Sequence, residues 1–167
     1  MPYAILRFQK RKAGGVAACE RHNERKKEAY KSNPDIDMER SKDNYHLVNP
    51  PRYTYKKEIN RMVAEAGCRT RKDSVMMVET LITASPEFMN SLPPKEQKAY
   101  FTMALDFISE RVGEKNILSA VVHMDERTPH MHLCFVPMTP DNKLSAKTIL
   151  GNQKSLSEWQ TAYHERM

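Results

Sequence analysis

The fold of this chain follows from one segment, His123-Met124-Asp125-Glu126-Arg127-Thr128-Pro129-His130-Met131-His132. Apolar, strand-like runs precede it at residues 116–122 and follow it at residues 133–137, which predicts a β-hairpin with Pro129 in its turn. Side chains two residues apart in a strand point to the same face, so His130 and His132 project together. His123 joins them if strand pairing sets it opposite either one.

Three imidazoles on one face are typical of a metal site. With no fourth protein ligand they leave coordination positions open, as catalytic metal sites do. A lone His-x-His pair in a strand is more often a pair of surface histidines. Half of the six histidines of this chain fall within residues 123–132, and this clustering favours the metal interpretation.

Length and composition indicate one domain. The 167 residues suffice for a single substantial core. Cys19, Cys68 and Cys134 are scattered and form no Cys-x-x-Cys motif, so reduced thiols are expected. No apolar stretch approaches the roughly 18 residues of a membrane span. These features predict a cytoplasmic domain without membrane insertion.

The net charge of +6 is unevenly distributed. Residues 1–72 hold 18 Lys and Arg against 9 Asp and Glu, whereas residues 73–167 hold 9 against 12. Basic side chains that meet phosphates supply affinity for nucleic acid, although charge runs alone are more often solvated helix faces. The basic residues predicted to contact DNA are Lys10, Arg11, Lys12, Lys26, Arg69, Arg71 and Lys72.

A helix is predicted from residue 16 to about residue 30, after a break at Gly14-Gly15. It places His22 and Arg25 on one face, with Lys26 at the border. Neighbouring cations disfavour protonation of His22, which predicts a neutral, nucleophilic imidazole. By itself, a histidine on a charged helix is usually a surface residue.

Three motifs together resemble those of plasmid mobilisation relaxases of the MobV, or Mob/Pre, family, which belong to the HUH endonucleases. The segment 123–132 matches the third motif, His-x-Asp-Glu-x-x-Pro-His-x-His, at every fixed position. His22-Asn23-Glu24-Arg25 is similar to the first motif, His-x-x-Arg, and Asn44-Tyr45 to the second. The motifs stand in the order of the family.

The resemblance implies a chemistry. His22 would be the nucleophile, in place of the tyrosine of most HUH relaxases, and would form a covalent 5′-phosphohistidine adduct while it nicks one DNA strand at a plasmid transfer origin. His123, His130 and His132 would hold a divalent cation. Mn²⁺ is the metal usually associated with the family, while ligand type and open positions also suit Zn²⁺ or Mg²⁺.

Three further residues complete the expected site. Arg25 would hold the phosphate or orient His22. Glu126 would accept a hydrogen bond from His22 or support a metal-binding histidine. Asp125 either shares this work or only caps the turn.

The predicted fold class is α+β. Strands are expected at residues 2–8, 44–48, 74–83, 116–123 and 131–137, as an antiparallel sheet with the histidine hairpin in the middle and helices on one face. This agrees with the HUH relaxase fold. Residues 1–167 would be a single nuclease domain from the N-terminal part of a longer protein, and any dimerisation or contact with other transfer proteins is left to the full-length chain.

The remaining alternatives differ in the reaction. An HUH replication initiator or transposase would use Tyr45 as the nucleophile. A metal-dependent hydrolase would cut DNA without a covalent adduct. A DNA-binding module would hold a structural metal and cut nothing.

Overall fold

Five antiparallel strands form one sheet in this computed structural model, which describes residues 4–26 and 36–167. The strands are β1 Ala4–Lys12, β2 Tyr45–Val48, β3 Val75–Ala84, β4 Ile117–His123 and β5 His130–Phe135. Their order is β1-β3-β5-β4-β2, so β5 is the central strand. The predicted α+β class, with the histidine hairpin in the middle of the sheet, is confirmed.

Helices precede, separate or follow the strands in the described residues, and only a turn joins β4 to β5. They are α1 Ala13–Asn23, α2 Tyr55–Ala66, α3 Pro86–Ser91, α4 Pro94–Val112, α5 Ala146–Leu150 and α6 Gln153–Arg166, with short 3-10 turns at Met38–Asp43 and Glu114–Asn116. None of these helices has the length and apolar run that crossing a membrane requires.

The helices cover both faces of the sheet, so the prediction of one covered face is wrong. On one face, α3, α4 and α6 pack on a core that includes Met131, Leu133 and Phe135 of β5. On the other face, α1 and α2 pack on a second core around Cys134. Every residue of β5 is buried, and a strand buried on both faces offers side chains alternately to two helix layers.

The first strand is longer than predicted and includes Lys10-Arg11-Lys12. It pairs with β3 from Ala4 to Lys12, and because ladder hydrogen bonds come from the backbone, basic side chains do not end it. The helix α1 begins directly at Ala13, so Gly14-Gly15 lies in its first turn and the predicted break before the helix is wrong. The helix α1 ends at Asn23, so the predicted helix over residues 24–26 is wrong, because the chain turns there with a positive φ at Arg25. The predicted strand residues 2–3 and helix residues 27–30 lie outside the described part.

The ends of α2 and the buried face of α4 follow ordinary helix rules. In α2, the Thr54 hydroxyl accepts a hydrogen bond from the Lys57 amide at 3.2 Å, and Gly67 ends the helix with a φ of +71°, a conformation that favours glycine. In α4, the face that includes Tyr100 and Phe101 is buried, whereas Met103 is 44% exposed.

The sequence near the start of α6 offers three residues that can cap a helix, Asn152, Ser155 and Ser157. The Asn152 side chain accepts a hydrogen bond from the Ser155 amide at 3.1 Å, which makes Asn152 the cap. Asparagine and serine are equally good caps, so a sequence that contains several such residues does not fix the helix start.

Candidate metal centre and nucleophile

The pairing of β4 with β5 brings three histidines together. His123 lies opposite His130, and Val121 lies opposite His132, so the three imidazoles share one face of the sheet, as predicted. Their ring centres are 5.3 Å apart for His123 and His130, 4.7 Å for His123 and His132, and 4.9 Å for His130 and His132.

Backbone and carboxylate groups hold these rings in place. Nε2 of His123 donates a hydrogen bond to the Asn23 carbonyl at 2.7 Å, and Nδ1 of His130 donates to the Thr128 carbonyl at 2.8 Å. Nδ1 of His132 lies 3.3 Å from a carboxylate oxygen of Glu79. Such contacts orient metal-binding histidines.

The donor set fits a metal ion. All three side chains are buried, and Nδ1 of His123 and both ring nitrogens of His132 have no hydrogen bond of standard geometry among the described residues. Burial, then His132 and Arg25, lowers the pKa of His123 to about 2. Burial and then His132 lower the pKa of His130 to about 4. Both rings are therefore neutral at physiological pH, the state that binds metal.

His22 faces this cluster from the last turn of α1. Its ring centre lies 5.6 Å from that of His132 and 6.0 Å from that of His123. Burial, His132 and Arg25 lower the pKa of His22, which favours the predicted neutral form. Lys26 instead forms an ion pair with Glu20.

The end of α1 aims Arg25 at the site. The amide of Arg25 donates to the His22 carbonyl at 3.3 Å, and the amide of Lys26 donates to the Arg21 carbonyl at 2.9 Å. This is the Schellman pattern, in which the residue after the cap takes a left-handed conformation. Arg25 has a φ of +52°, where glycine is usual, so the position keeps a side chain at a cost in backbone strain.

The Arg25 guanidinium binds both acids of the hairpin turn. It donates two 2.8 Å hydrogen bonds to Asp125 and one of 2.8 Å to Glu126. Its Nη1 lies 3.5 Å from Nε2 of His22. The ion pair is desolvated, because the Asp125 side chain is fully buried and that of Arg25 is 7% exposed.

Asp125 is a buried acceptor and not a solvent-facing turn cap. Ser41 and Asn44 also donate to it, at 2.6 and 3.1 Å. Burial opposes its ionisation, but the hydrogen bonds from Arg25, Ser41 and Asn44 prevail and hold the pKa of Asp125 well below its ordinary value. Asn44 further accepts from the Met124 amide at 2.6 Å, so the second motif supports the hairpin turn.

Glu126 lies between the arginine and the histidine cluster. One of its carboxylate oxygens is 3.6 Å from Nε2 of His130. Donor atoms of His123, Glu126 and His130 all lie within 4.8 Å of one another, as do those of His22, His123 and His132. An open pocket of about 290 Å³ borders His22, Glu126, His130 and His132, which leaves room for a phosphodiester.

Tyr45 lies on the opposite face of the sheet. It pairs with Val122, whose side chain belongs to the core beneath α4, and Tyr45 packs against that same core. Cross-strand partners point to one face, and His123, the next residue after Val122, points to the other. This placement does not support Tyr45 as a nucleophile.

The basic residues predicted to contact DNA are dispersed. Lys10 and Lys12 are exposed on the edge strand β1, while Arg11 lies 3.7 Å from Glu79. The exposed residues Arg69, Arg71 and Lys72 lie in the loop between α2 and β3. Arg11 lies next to the site, because its partner Glu79 also contacts His132. For the other six residues, contact with DNA stays a prediction.

Sequence reasoning missed Glu79. It lies on β3 at 12% side-chain exposure and contacts both His132 and Cys19. A signal was present, since Glu79 is the one acid in the apolar run 75–84, and acids are seldom placed in such strands without a partner.

Solved structures show the same architecture. The relaxase domain of MobM, in a Mn-bound crystal with oriT DNA of plasmid pMV158 at pH 6.8, aligns over 98% of this chain and 85% of its own, with a TM-score of 0.88 and 36% identity. A Mn-bound crystal at pH 4.6 gives a TM-score of 0.89 and 35% identity over the same shares. The chain thus has the fold of a relaxase domain.

The family follows from the sequence comparison. The Mob_Pre family, described as plasmid recombination enzyme, matches residues 1–167, and the chain belongs to it. A plasmid recombination enzyme of Bacillus thuringiensis is 43% identical over 156 residues, which are 93% of this chain and 35% of the relative. A type 2 enzyme of Staphylococcus aureus is 41% identical over 159 residues, 93% of this chain and 37% of the relative. The chain spans about a third of the length of these curated relatives.

Proposed function

We propose that this domain nicks one strand of plasmid DNA at a transfer origin and keeps the cut end as a covalent adduct on His22. One observation carries the proposal: His22 of α1 faces a cluster of three buried imidazoles across a pocket that can admit a phosphodiester. Family membership and the oriT DNA bound to MobM support the choice of substrate.

His123, His130 and His132 would hold the cation, and the Mn²⁺ in the MobM crystals supports Mn²⁺ as its identity. When bound, a divalent ion offsets the charge of the scissile phosphate and stabilises the transition state. The carbonyls of Asn23 and Thr128 and the carboxylate of Glu79 fix the three rings, so that little reorganisation accompanies binding.

His22 would supply the electron pair. Its unprotonated ring nitrogen attacks phosphorus, a P–N bond forms, and the bond from phosphorus to the 3′ oxygen breaks. The 3′ oxygen leaves as a hydroxyl, its proton balanced by the one that the other ring nitrogen of His22 loses, and the 5′ phosphate stays on His22. The covalent link conserves the bond energy for rejoining, because the 3′ hydroxyl can reverse the same step.

Arg25 would serve as both a positioning and a charge-stabilising group. Asp125 and Glu126 hold its guanidinium 3.5 Å from His22, where its charge disfavours protonation of the nucleophile. Glu126, next to His130, is suited to accept the proton that His22 sheds or to assist a metal ligand. Lys10, Arg11, Lys12, Lys26, Arg69, Arg71 and Lys72 remain the proposed DNA contacts.

The setting of the reaction is also a proposal. The domain would act in the bacterial cytoplasm, where plasmid DNA is available. The larger part of a relative's length lies beyond the span matched here, and dimerisation or contact with other transfer proteins would belong to the full-length protein.

Incubation with Mn²⁺ and a single-stranded oligonucleotide that spans the origin of the host plasmid tests the proposal. A denaturing gel and peptide mass spectrometry should show an acid-labile adduct on the His22 peptide, absent in His22→Ala and retained in Tyr45→Phe. An adduct on Tyr45 would establish Tyr45 as the nucleophile, as expected of an HUH replication initiator or transposase. Cleavage without any adduct would establish the hydrolase.

Removal of the metal by chelation separates the proposed function from the remaining alternative, a DNA-binding module with a structural metal. If the metal were purely structural, removal with EDTA would unfold the domain and no strand would be cut under any condition. The proposed function predicts a folded, inactive domain after EDTA treatment, since the two hydrophobic cores include none of the three histidines. Circular dichroism separates the two outcomes.

A further inference from the structure

A second cluster of metal-ligating side chains lies beside the histidine site. Cys19 of α1, Glu79 of β3 and Cys134 of β5 bring two sulfur atoms and one carboxylate oxygen within 4.8 Å of one another. Strand pairing sets Glu79 opposite Cys134, and α1 packs over them and adds Cys19. We propose that these three residues form a separate binding site for a thiophilic divalent ion such as Zn²⁺ or Cd²⁺.

The donor set selects the ion. Two thiolates and a carboxylate suit Zn²⁺ and related soft ions, whereas Mn²⁺ prefers oxygen and imidazole ligands. Zinc bonds of about 2.0–2.3 Å can reach donors spaced this closely after small side-chain rotations. The cluster would therefore discriminate against the ion proposed for the histidine site.

The surroundings of the sulfurs support a ligand site. Both thiols are buried, and the Asn23 side-chain amide lies 3.5 Å from Cys19 Sγ and 3.4 Å from Cys134 Sγ, where it can stabilise charge on a bound thiolate. Asn23 itself is 1% exposed, and its Oδ1 has no hydrogen-bond partner among the described residues.

Glu79 couples the two sites. One of its oxygens accepts the Cys19 thiol hydrogen bond, and the other lies 3.3 Å from Nδ1 of His132. An ion on the thiol cluster competes for the carboxylate that orients His132. Occupancy is therefore expected to weaken Mn²⁺ binding at the histidines and to reduce nicking, an effect on activity that rests on the proposed function.

A cadmium titration of the reduced, metal-free domain tests the site without relying on activity. Thiolate binding to Cd²⁺ gives an ultraviolet charge-transfer band, which should saturate at a single ion per chain and be reversed by excess Zn²⁺. The band should disappear in Cys19→Ser and in Cys134→Ser, and Glu79→Gln should weaken the affinity.

Two variants are matched controls. Cys68→Ser changes the third cysteine, which follows the end of α2 and whose sulfur is not among the donor atoms that lie within 4.8 Å of one another, and it should leave the band intact. His130→Ala removes a ligand of the histidine site and should also leave it intact, so failure of the proposed function does not decide this test. Circular dichroism of each variant verifies folding.

The proposal would be overturned by a folded wild-type domain that shows no sulfur band at any soluble cadmium concentration. A band that survives replacement of both Cys19 and Cys134, or that vanishes in Cys68→Ser, would also overturn it. Loss of the band in folded His130→Ala would overturn it as well, since the sulfurs would then bind the ion only together with the histidine site and would form no site of their own.

Discussion

Replacement of Arg25 by alanine should destabilise the domain strongly, although Arg25 lies just beyond the end of α1. Arg25 donates three charge-assisted hydrogen bonds to two carboxylates, and the Asp125 side chain is fully buried. Removal of one partner from a buried ion pair costs about 3–5 kcal/mol, mostly because a buried charge loses its counterion. Ser41 and Asn44 remain as donors, which favours the lower part of this range.

Urea denaturation at neutral pH, followed by circular dichroism, measures the change in unfolding free energy. Arg61 is a matched control, because it also pairs with two carboxylates, Glu58 and Glu65, but is 57% exposed. Arg61→Ala should change stability little, since exposed ion pairs are screened by water. Arg25→Gly should be about 1 kcal/mol more stable than Arg25→Ala, because glycine relieves the strain of the positive φ.

The dependence on pH gives an independent check. The folded state holds the pKa of Asp125 below its ordinary value of 3.8, so its contribution is full above that pH and is lost as the pH falls through the folded value. Without Arg25, burial raises this pKa. The stability gap between wild type and Arg25→Ala should therefore narrow as the pH falls below about 4.

A loss of stability in Arg25→Ala no larger than that in Arg61→Ala at neutral pH would refute a stabilising role for the buried ion pair. A gap that stays constant or widens in acid would show that Asp125 is not the group left without a partner.

Three further predictions concern the histidine site. Mn²⁺ at about 100 times its dissociation constant should raise the unfolding free energy by about 2.7 kcal/mol. In thermal denaturation, His132→Ala should lose this gain, whereas the control His164→Ala, at an exposed histidine of α6, should keep it. Equal gains in both variants would contradict metal binding at His132. Glu79→Gln should weaken Mn²⁺ affinity roughly 10–100-fold by calorimetry, and an unchanged dissociation constant would mean that Glu79 does not orient His132. The folded state lowers the pKa of His123 to about 2 and that of His130 to about 4, so the unfolded chain takes up protons first as the pH falls. The metal-free domain should therefore lose stability between about pH 6.5 and pH 4. Urea midpoints should fall less steeply with pH in His130→Gln, and an identical slope would contradict the burial of His130.

Local pattern determined much of this protein. The apolar runs on either side of residues 123–132 specify a hairpin, and the period of two along a strand is enough to set His130 and His132 on one face. Helix stops such as Gly67 are equally local, because a left-handed residue after a helix favours glycine. The motif around His22 indicated a nucleophile, although only the packing of α1 against the sheet brings that ring within 6.0 Å of His123 and His132.

Tertiary structure decided the contacts between distant segments. Arg25 meets Asp125 across 100 residues, and Cys19 meets Glu79 across 60; neither pairing follows from spacing, because it depends on which helix packs on which face. The sequence showed an apolar β5 but not that helices cover both of its sides. Burial and the charges of its neighbours set the ionisation of His22, and these are properties of the packed site rather than of the helix that carries it.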